Sequence, residues 1–133
     1  MTTVSTGSAT AVVKQVYDAF LRQDVPAILA LVADRVDWEF VGSSTLPYAG
    51  RRRDHTSVGD FFAAVAQSDD VHEFEAREFM ESGEHVTVLG WERSTARDTG
   101  QPFESEWAHI FTVKNGKITR WRGFFNTAAR YGQ

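Results

Sequence analysis

The chain of 133 residues contains no cysteine. That absence excludes a disulfide framework, a thiolate metal site and a cysteine nucleophile, and it removes any redox clue to compartment. Long apolar runs are also missing. The longest, Ala27 to Ala33, falls far short of a bilayer span. The first basic residue is Lys14, so residues 1–10 lack the positive opening of a secretory signal. A cytoplasmic protein with no membrane association is expected. Positive charge is in deficit, 14 Lys and Arg against 18 Asp and Glu, which argues against nucleic-acid binding through phosphates. The histidines His55, His72, His85 and His109 show no metal-ligand spacing, and no glycine-rich phosphate cradle is present. Neither a metal nor a cofactor is expected. What the chain does have is aromatics, ten Phe, four Trp and three Tyr, enough to wall an enclosed pocket.

The length suits one domain. Met1 to Gly7 is Ser/Thr-rich and reads as a frayed tail. From Val13, apolar residues at Val16, Tyr17, Phe20 and Leu21 form the stripe of a helix buried on one face. Asp24-Val25-Pro26 reads as an N-cap with proline in the first turn, opening a second helix whose buried side is Ile28, Leu29, Leu31 and Val32. Val36 to Val41 is a short strand and Gly42 to Gly50 a loop. Asp54 or Thr56 caps a third helix with Val58, Phe61, Phe62 and Val65 facing inward. Strands then follow over His72–Glu81, His85–Arg97, Pro102–Val113 and Ile118–Phe125, joined at Ser82-Gly83-Glu84, Asp98-Thr99-Gly100 and Asn115-Gly116. Three N-terminal helices followed by an antiparallel meander, with Val36–Val41 as an edge addition, make an α+β domain.

Alternation in the Pro102–Val113 strand indicates where a pocket lies. Phe103, Ser105, Trp107, His109, Phe111 and Val113 share one face, and Glu104, Glu106, Ala108, Ile110 and Thr112 the other. The aromatic face points toward the helices and carries a titratable His109 between Trp107 and Phe111. The mixed opposite face suits docking on another subunit.

Several segments, in this order and spacing, carry a family resemblance over residues 10–128. They include Val12 to Phe20 in the first helix, Ile28 to Asp34, Val36-Asp37-Trp38-Glu39-Phe40, and Leu46-Pro47-Tyr48-Ala49-Gly50. Trp107-Ala108-His109-Ile110-Phe111, Asn115-Gly116-Lys117-Ile118 and Arg120 to Thr127 complete them. Through these the chain resembles the nuclear transport factor 2-like superfamily, in its SnoaL-like and ketosteroid-isomerase-like branch. The resemblance implies a cone-shaped (cystatin-like) fold, a strongly bent antiparallel sheet with an apolar pocket at its open end, and a homodimer formed through the outer sheet face. The tail then covers residues 1–9 and a single SnoaL-like domain residues 10–133. One such scaffold hosts isomerases, cyclases, epoxide hydrolases, dehydratases and non-catalytic binders, so activity must be argued from the site.

In the ketosteroid-isomerase pattern Tyr17 matches the oxyanion-binding tyrosine and Glu39 the carboxylate base, while His109 replaces the second oxyanion donor. In the epoxide-hydrolase pattern the water-activating Arg and two Asp fall on Gly90, Glu92 and Gly123, which disfavours that chemistry. Relatives that close with Arg-Asp-Tyr and a later Asp have here Arg122, Gly123, Phe124 and Asn126. Strand parity leaves one choice open: absent a bulge, either Glu39 or Trp38 with Phe40 faces the pocket, not both.

Each candidate has a plainer structural role beside the functional one. Glu39 is a general base or an outward residue paired with arginine; His109 a pocket donor or a satisfied core histidine; Tyr17 a donor or core filler. Glu92 is a reserve acid or a salt-bridge residue, and Arg122 holds a ligand oxygen or props a strand carboxylate. Arg51-Arg52-Arg53 solvates a helix entrance. The expected walls are Trp38, Phe40, Phe62, Trp107, Phe111 and Phe124. Two functions fit this set. One is cofactor-independent proton transfer, of isomerase, cyclase or dehydratase type, on a small apolar carbonyl-bearing metabolite, with Glu39, Tyr17 and His109 catalytic. The other is a non-catalytic module that binds an apolar molecule in the same cone.

Overall fold

The computed structural model describes residues 8–132, so the proposed tail at Met1 to Gly7 lies outside the described residues. The first helix, α1 (Ala9–Leu21), starts where the Ser8 side chain accepts the Ala11 N–H at 3.0 Å. Ala9 is thus helical and buried rather than part of the tail. The buried stripe runs through Val12, Val13, Val16 and Tyr17, and Leu21, expected inside, is 60% exposed because the helix ends as the chain turns into α2 (Val25–Leu29). Asp24 caps α2 through the Ala27 N–H, with Pro26 in the first turn as its fixed φ permits. This helix is shorter than expected, since Val32 already belongs to β1 (Val32–Phe40). The end of the loop forms a strand that sequence reading missed, β2 (Gly50–Arg52). Asp54 caps α3 (His55–Ser68) in a reciprocal box with Ser57.

Four long strands follow: β3 (Asp69–Ser82), β4 (His85–Ala96), β5 (Pro102–Lys114) and β6 (Lys117–Phe125). A short α4 (Thr127–Arg130), not foreseen, closes the described chain. The sheet order is β2-β1-β6-β5-β4-β3. The expected meander is therefore present, but β1 is an interior strand, and it runs parallel to β6 with Trp38 opposite Trp121 and Phe40 opposite Gly123. The edge role falls to β2, which pairs antiparallel with β1. Asn115 and Gly116 both take positive φ, the twist a two-residue hairpin needs.

Curvature comes from bulges. The β3–β4 register shifts between Val71 and Glu73 and again between Ala76 and Glu78, so one extra residue each time carries the inward set along Asp69, Val71, Phe74, Ala76 and Phe79. The bent sheet turns its concave face to α1 and α3, and one aromatic-rich core fills the space between. Glycine matters at two points. A Cβ on Gly90 would overlap the Trp107 indole and one on Gly123 the Trp121 indole, so both glycines let a large ring lie flat on the neighbouring strand. No helix among the described residues is long and apolar enough to cross a membrane.

Candidate functional site

The parity of β1 is settled by burial. Val36, Trp38 and Phe40 point into the concave face, with Trp38 only 1% exposed, while Asp37 and Glu39 project from the outer face. Glu39 accordingly does not enter the pocket. Its Oε1 meets Arg51 Nε at 3.2 Å and Arg122 Nε at 3.4 Å. Arg122 is outside for the same reason: its Nη2 binds Asp37 Oδ2 at 2.8 Å, and this hydrogen bond holds the Asp37 carboxyl below its ordinary range. Phe124 also faces outward, 38% exposed, because inward parity on β6 belongs to Trp121, Gly123 and Phe125. The expected placements of Glu39, Arg122 and Phe124 in the pocket are thus corrected by one strand register rule.

The remaining candidates come together. A cavity of about 80 Å³ lies between α1, α3 and the sheet, and Tyr17, Trp38, Phe40, Phe62, Trp107, His109 and Phe111 all line it. Phe61, Phe74, Trp121 and Phe125 complete most of the apolar wall. Each ordered water needs about 10–15 Å³ of such volume, so the space holds roughly six water-sized groups, about one ring. A larger, open depression of about 440 Å³ lies by Leu89, Trp107 and Phe124. The smaller cavity is the better site, because titratable groups with displaced protonation converge on it.

One polar pair in the cavity is neutral. Tyr17 Oη lies 2.7 Å from His109 Nδ1, and the two rings are stacked, 8° from parallel. Burial alone pushes His109 down to about 3 and Tyr17 well above its ordinary value, so at neutral pH both are uncharged. Whichever of the two gives the proton of their mutual bond, the pair keeps one further donor and one further acceptor for a third group. Trp107 stacks on His109 at 4.1 Å between centroids and fixes the ring.

The second polar group is charged. Asp69, at the first position of β3, takes Arg130 Nε on Oδ1 at 2.8 Å and the Tyr48 hydroxyl on Oδ2 at 2.5 Å. The Asp69 and Arg130 side chains are 3% and 1% exposed. Burial first, and then the Asp69 charge, raise the Tyr48 phenol well out of reach of ionisation. Glu92 of β4 faces the same cavity, on the inward series Val86, Val88, Gly90, Glu92, Ser94 and Ala96. Its Oε2 accepts the Ser94 hydroxyl at 2.9 Å. Burial pushes Glu92 up to about 7, the Ser94 bond works against this, and the Asp69 charge adds to it. Glu92 has no arginine partner among the described residues, whereas its outward neighbour Arg93 pairs with Glu73 at 2.9 Å. The reserve acid therefore stands on the pocket wall, without the arginine partner that Asp69 has. Sequence reading had the signal for it in the alternation of β4; for Asp69, Tyr48 and Arg130 it had none, since they meet from a strand end, a loop and a helix lying far apart in the chain. No group of His, Asp and Glu side chains among the described residues is arranged to hold a metal ion.

A bent sheet closed over an aromatic cavity by N-terminal helices, with a half-buried acid and a Tyr–His pair on its wall, defines an α+β cone. The SnoaL-like domain model matches residues 13–121, and the chain belongs to that family, within the nuclear transport factor 2-like fold. Among solved structures, a nuclear transport factor 2-like protein of unknown function from Burkholderia pseudomallei is 32% identical, with 90% of this chain and 92% of that one covered and a TM-score of 0.81. TerC, co-crystallised with polyporic acid, is 25% identical over 93% and 95% of the two chains, with a TM-score of 0.82. A Mycobacterium tuberculosis LEH-like epoxide hydrolase shares the fold at 18% identity, 93% and 86% coverage and a TM-score of 0.72. No curated protein sequence matches the chain.

Proposed function

We propose that the protein is a cofactor-independent acid–base catalyst of isomerase or cyclase type, acting on a small apolar carbonyl compound, with Glu92 in the role first assigned to Glu39. The observation that carries this reading is a carboxyl raised to about 7 on the wall of an aromatic cavity that also holds the neutral Tyr17–His109 pair. A general base works best when its pKa lies near the working pH, and Glu92 meets that condition without a metal partner. As carboxylate, Glu92 takes a proton from the carbon beside the carbonyl. The C–H electrons move into the carbonyl, and the resulting enolate oxygen accepts the free donor of the Tyr17–His109 pair. Glu92–H then returns the proton to a different carbon, leaving the isomer and the original carboxylate. That TerC, a protein of the same fold, was crystallised with polyporic acid supports a ring-bearing ligand. The hydrolase geometry of the epoxide-opening relatives is not supported, since Gly90 and Gly123 are occupied by the faces of Trp107 and Trp121.

The second reading, a binder without turnover, draws on the same two glycines, which leave Glu92 without a second carboxyl on those strand positions. A single-ring probe separates the two. Cyclohex-3-en-1-one is incubated with wild type and with Glu92→Gln, and formation of the conjugated enone is followed by its ultraviolet absorbance. Catalysis predicts turnover that falls by about 100-fold or more in the variant, the usual contribution of a positioned acid–base group. Equal rates in the two proteins remove Glu92 from the chemistry; binding without turnover establishes the carrier. The outer face, where Leu89, Ile110 and Phe124 are each more than one-third exposed, is proposed to meet a second copy of the chain.

A further inference from the structure

Arg130, Asp69 and Tyr48 form a hydrogen-bonded group beside the cavity that neither the fold nor the reading of Glu92 requires. Arg130 comes from α4, a helix of four residues, yet its guanidinium is buried more completely than most of the apolar core. It reaches Asp69 through Nε, the Ser68 carbonyl through Nη2 at 3.2 Å, and Asp98 at 3.7 Å. A buried ion pair is an uneconomical way to hold a short helix, since desolvating both ions offsets most of their attraction. The pair makes sense where the carboxylate has a further task.

That task is visible in who else shares the cavity. The titratable groups on its wall are Tyr17 of α1, Tyr48 of the loop after β1, Asp69 of β3, Glu92 of β4 and His109 of β5; α3, β1 and β6 contribute only apolar side chains. Tyr17, Tyr48 and His109 are neutral at pH 7. Asp69 is therefore the one charged group that shares the cavity wall with Glu92 among the described residues, and Arg130 is the cation that touches it at hydrogen-bond distance. We propose that Arg130 is a positioning residue: through its ion pair with Asp69 it orients that side chain, commits the Tyr48 proton to it and balances the charge that shares the cavity wall with Glu92. The proposal rests on the reading of Glu92 above. Arg130 never touches the ligand; it acts through Asp69. With its only proton directed at Asp69, Tyr48 turns nothing but an acceptor toward anything else.

Two substitutions from opposite sides of the ion pair test this, read by carbon-detected NMR titration of the Glu92 carboxyl in the free protein. In wild type the midpoint lies at about 7. Asp69→Asn removes the negative charge and leaves Arg130 in place, so the midpoint falls by about one unit, the scale of a nearby charge. Arg130→Gln leaves the Asp69 charge uncompensated, so the Glu92 midpoint rises. Arg130→Lys keeps the charge and stays near wild type. A merely structural Arg130 leaves the Glu92 midpoint unmoved in Arg130→Gln, whatever that variant costs in stability, and that outcome overturns the proposal. Should Arg130→Gln fail to fold, Arg130→Met, which keeps the apolar stem and removes the charge, decides it: a raised Glu92 midpoint supports the proposal and an unmoved one overturns it. A wild-type midpoint at the ordinary carboxylate value would instead overturn the reading of Glu92, so the two failures are told apart.

Discussion

The two polar groupings in the cavity solve the same problem in opposite ways. Tyr17 and His109 give up charge: both are neutral, and one hydrogen bond of 2.7 Å serves them both. Asp69 and Arg130 keep their charges and cancel them against each other at 2.8 Å, with Tyr48 on the remaining carboxylate oxygen. Glu92, with a hydroxyl partner but no counter-ion, belongs to neither group, and so its protonation is free to change near neutral pH. The site's adjustable proton therefore lies on the carboxyl that has neither a shared proton nor a counter-ion. His109 and Glu92 accordingly have opposite effects of pH on stability.

The largest effect comes from the neutral pair. His109 titrates at about 3 in the folded chain against 6.5 for an ordinary histidine. Between these values the unfolded chain binds a proton that the folded one does not, so stability is full above about 6.5 and is lost as pH falls toward 3. The whole window is worth on the order of 5 kcal/mol, at about 1.4 kcal/mol per pH unit. Urea unfolding of wild type and His109→Gln at a series of pH values measures it. The stability difference between the two proteins should swing against wild type by most of that amount on acidification. A constant difference would mean that His109 takes up its proton at the same pH in the folded and unfolded chains, so that burial does not exclude its charge.

Glu92 gives the opposite sign and a smaller effect. Its folded value of about 7 stands above the ordinary 4.5, so the folded chain holds a proton that the unfolded one has released. Stability is therefore full below about 4.5 and is lost as pH rises toward 7, by on the order of 3 kcal/mol. Glu92→Gln escapes that loss. It should be more stable than wild type at pH 8 by a few kcal/mol, with no such advantage at pH 4. Thermal unfolding at the two pH values checks this, and a gain at both would mark a packing effect rather than relief of a buried charge. A residue that costs stability where it would work as a base fits a functional role better than a structural one.

How much of this was legible from sequence follows from which interactions are local. The cap at Asp54, the proline turn after Asp24 and the Asn115-Gly116 hairpin are decided within a few residues, and each was readable. The inward face of β5 was readable too, because its alternation from Phe103 to Phe111 is unbroken. Bulges defeat that logic. In β3 the inward set skips from Val71 to Phe74 and from Ala76 to Phe79, and no sequence pattern announces the two extra residues. β2 is three residues long and owes its existence to β1 beside it, which propensity does not register. The Asp69–Arg130 pair joins residues 61 positions apart through a helix of four residues, a contact only the closed fold creates.

The smallest predicted effect concerns the residue on which the sequence reading staked its mechanism. Glu39 and Trp38 are adjacent, yet one lies at the surface among Arg51 and Arg122 and the other is sealed against Trp121 at 4.4 Å between ring centroids. Nothing in chemistry distinguished a carboxylate suited to proton abstraction from one suited to an arginine; the parity of a single strand did. Glu39→Gln should leave turnover of the enone probe at the wild-type rate and cost at most about 1 kcal/mol of stability, the ceiling for exposed ion pairs. It should also leave the Glu92 titration where it stands, because the sheet backbone separates the outer arginine cluster from the cavity. A fall in turnover with stability unchanged would place Glu39 back inside, which the register of Trp38 with Trp121 and Phe40 with Gly123 forbids without a one-residue slip of β1. Such a slip would expel both aromatic rings from the core, so the mutant's activity and the packing of Trp38 test one and the same register.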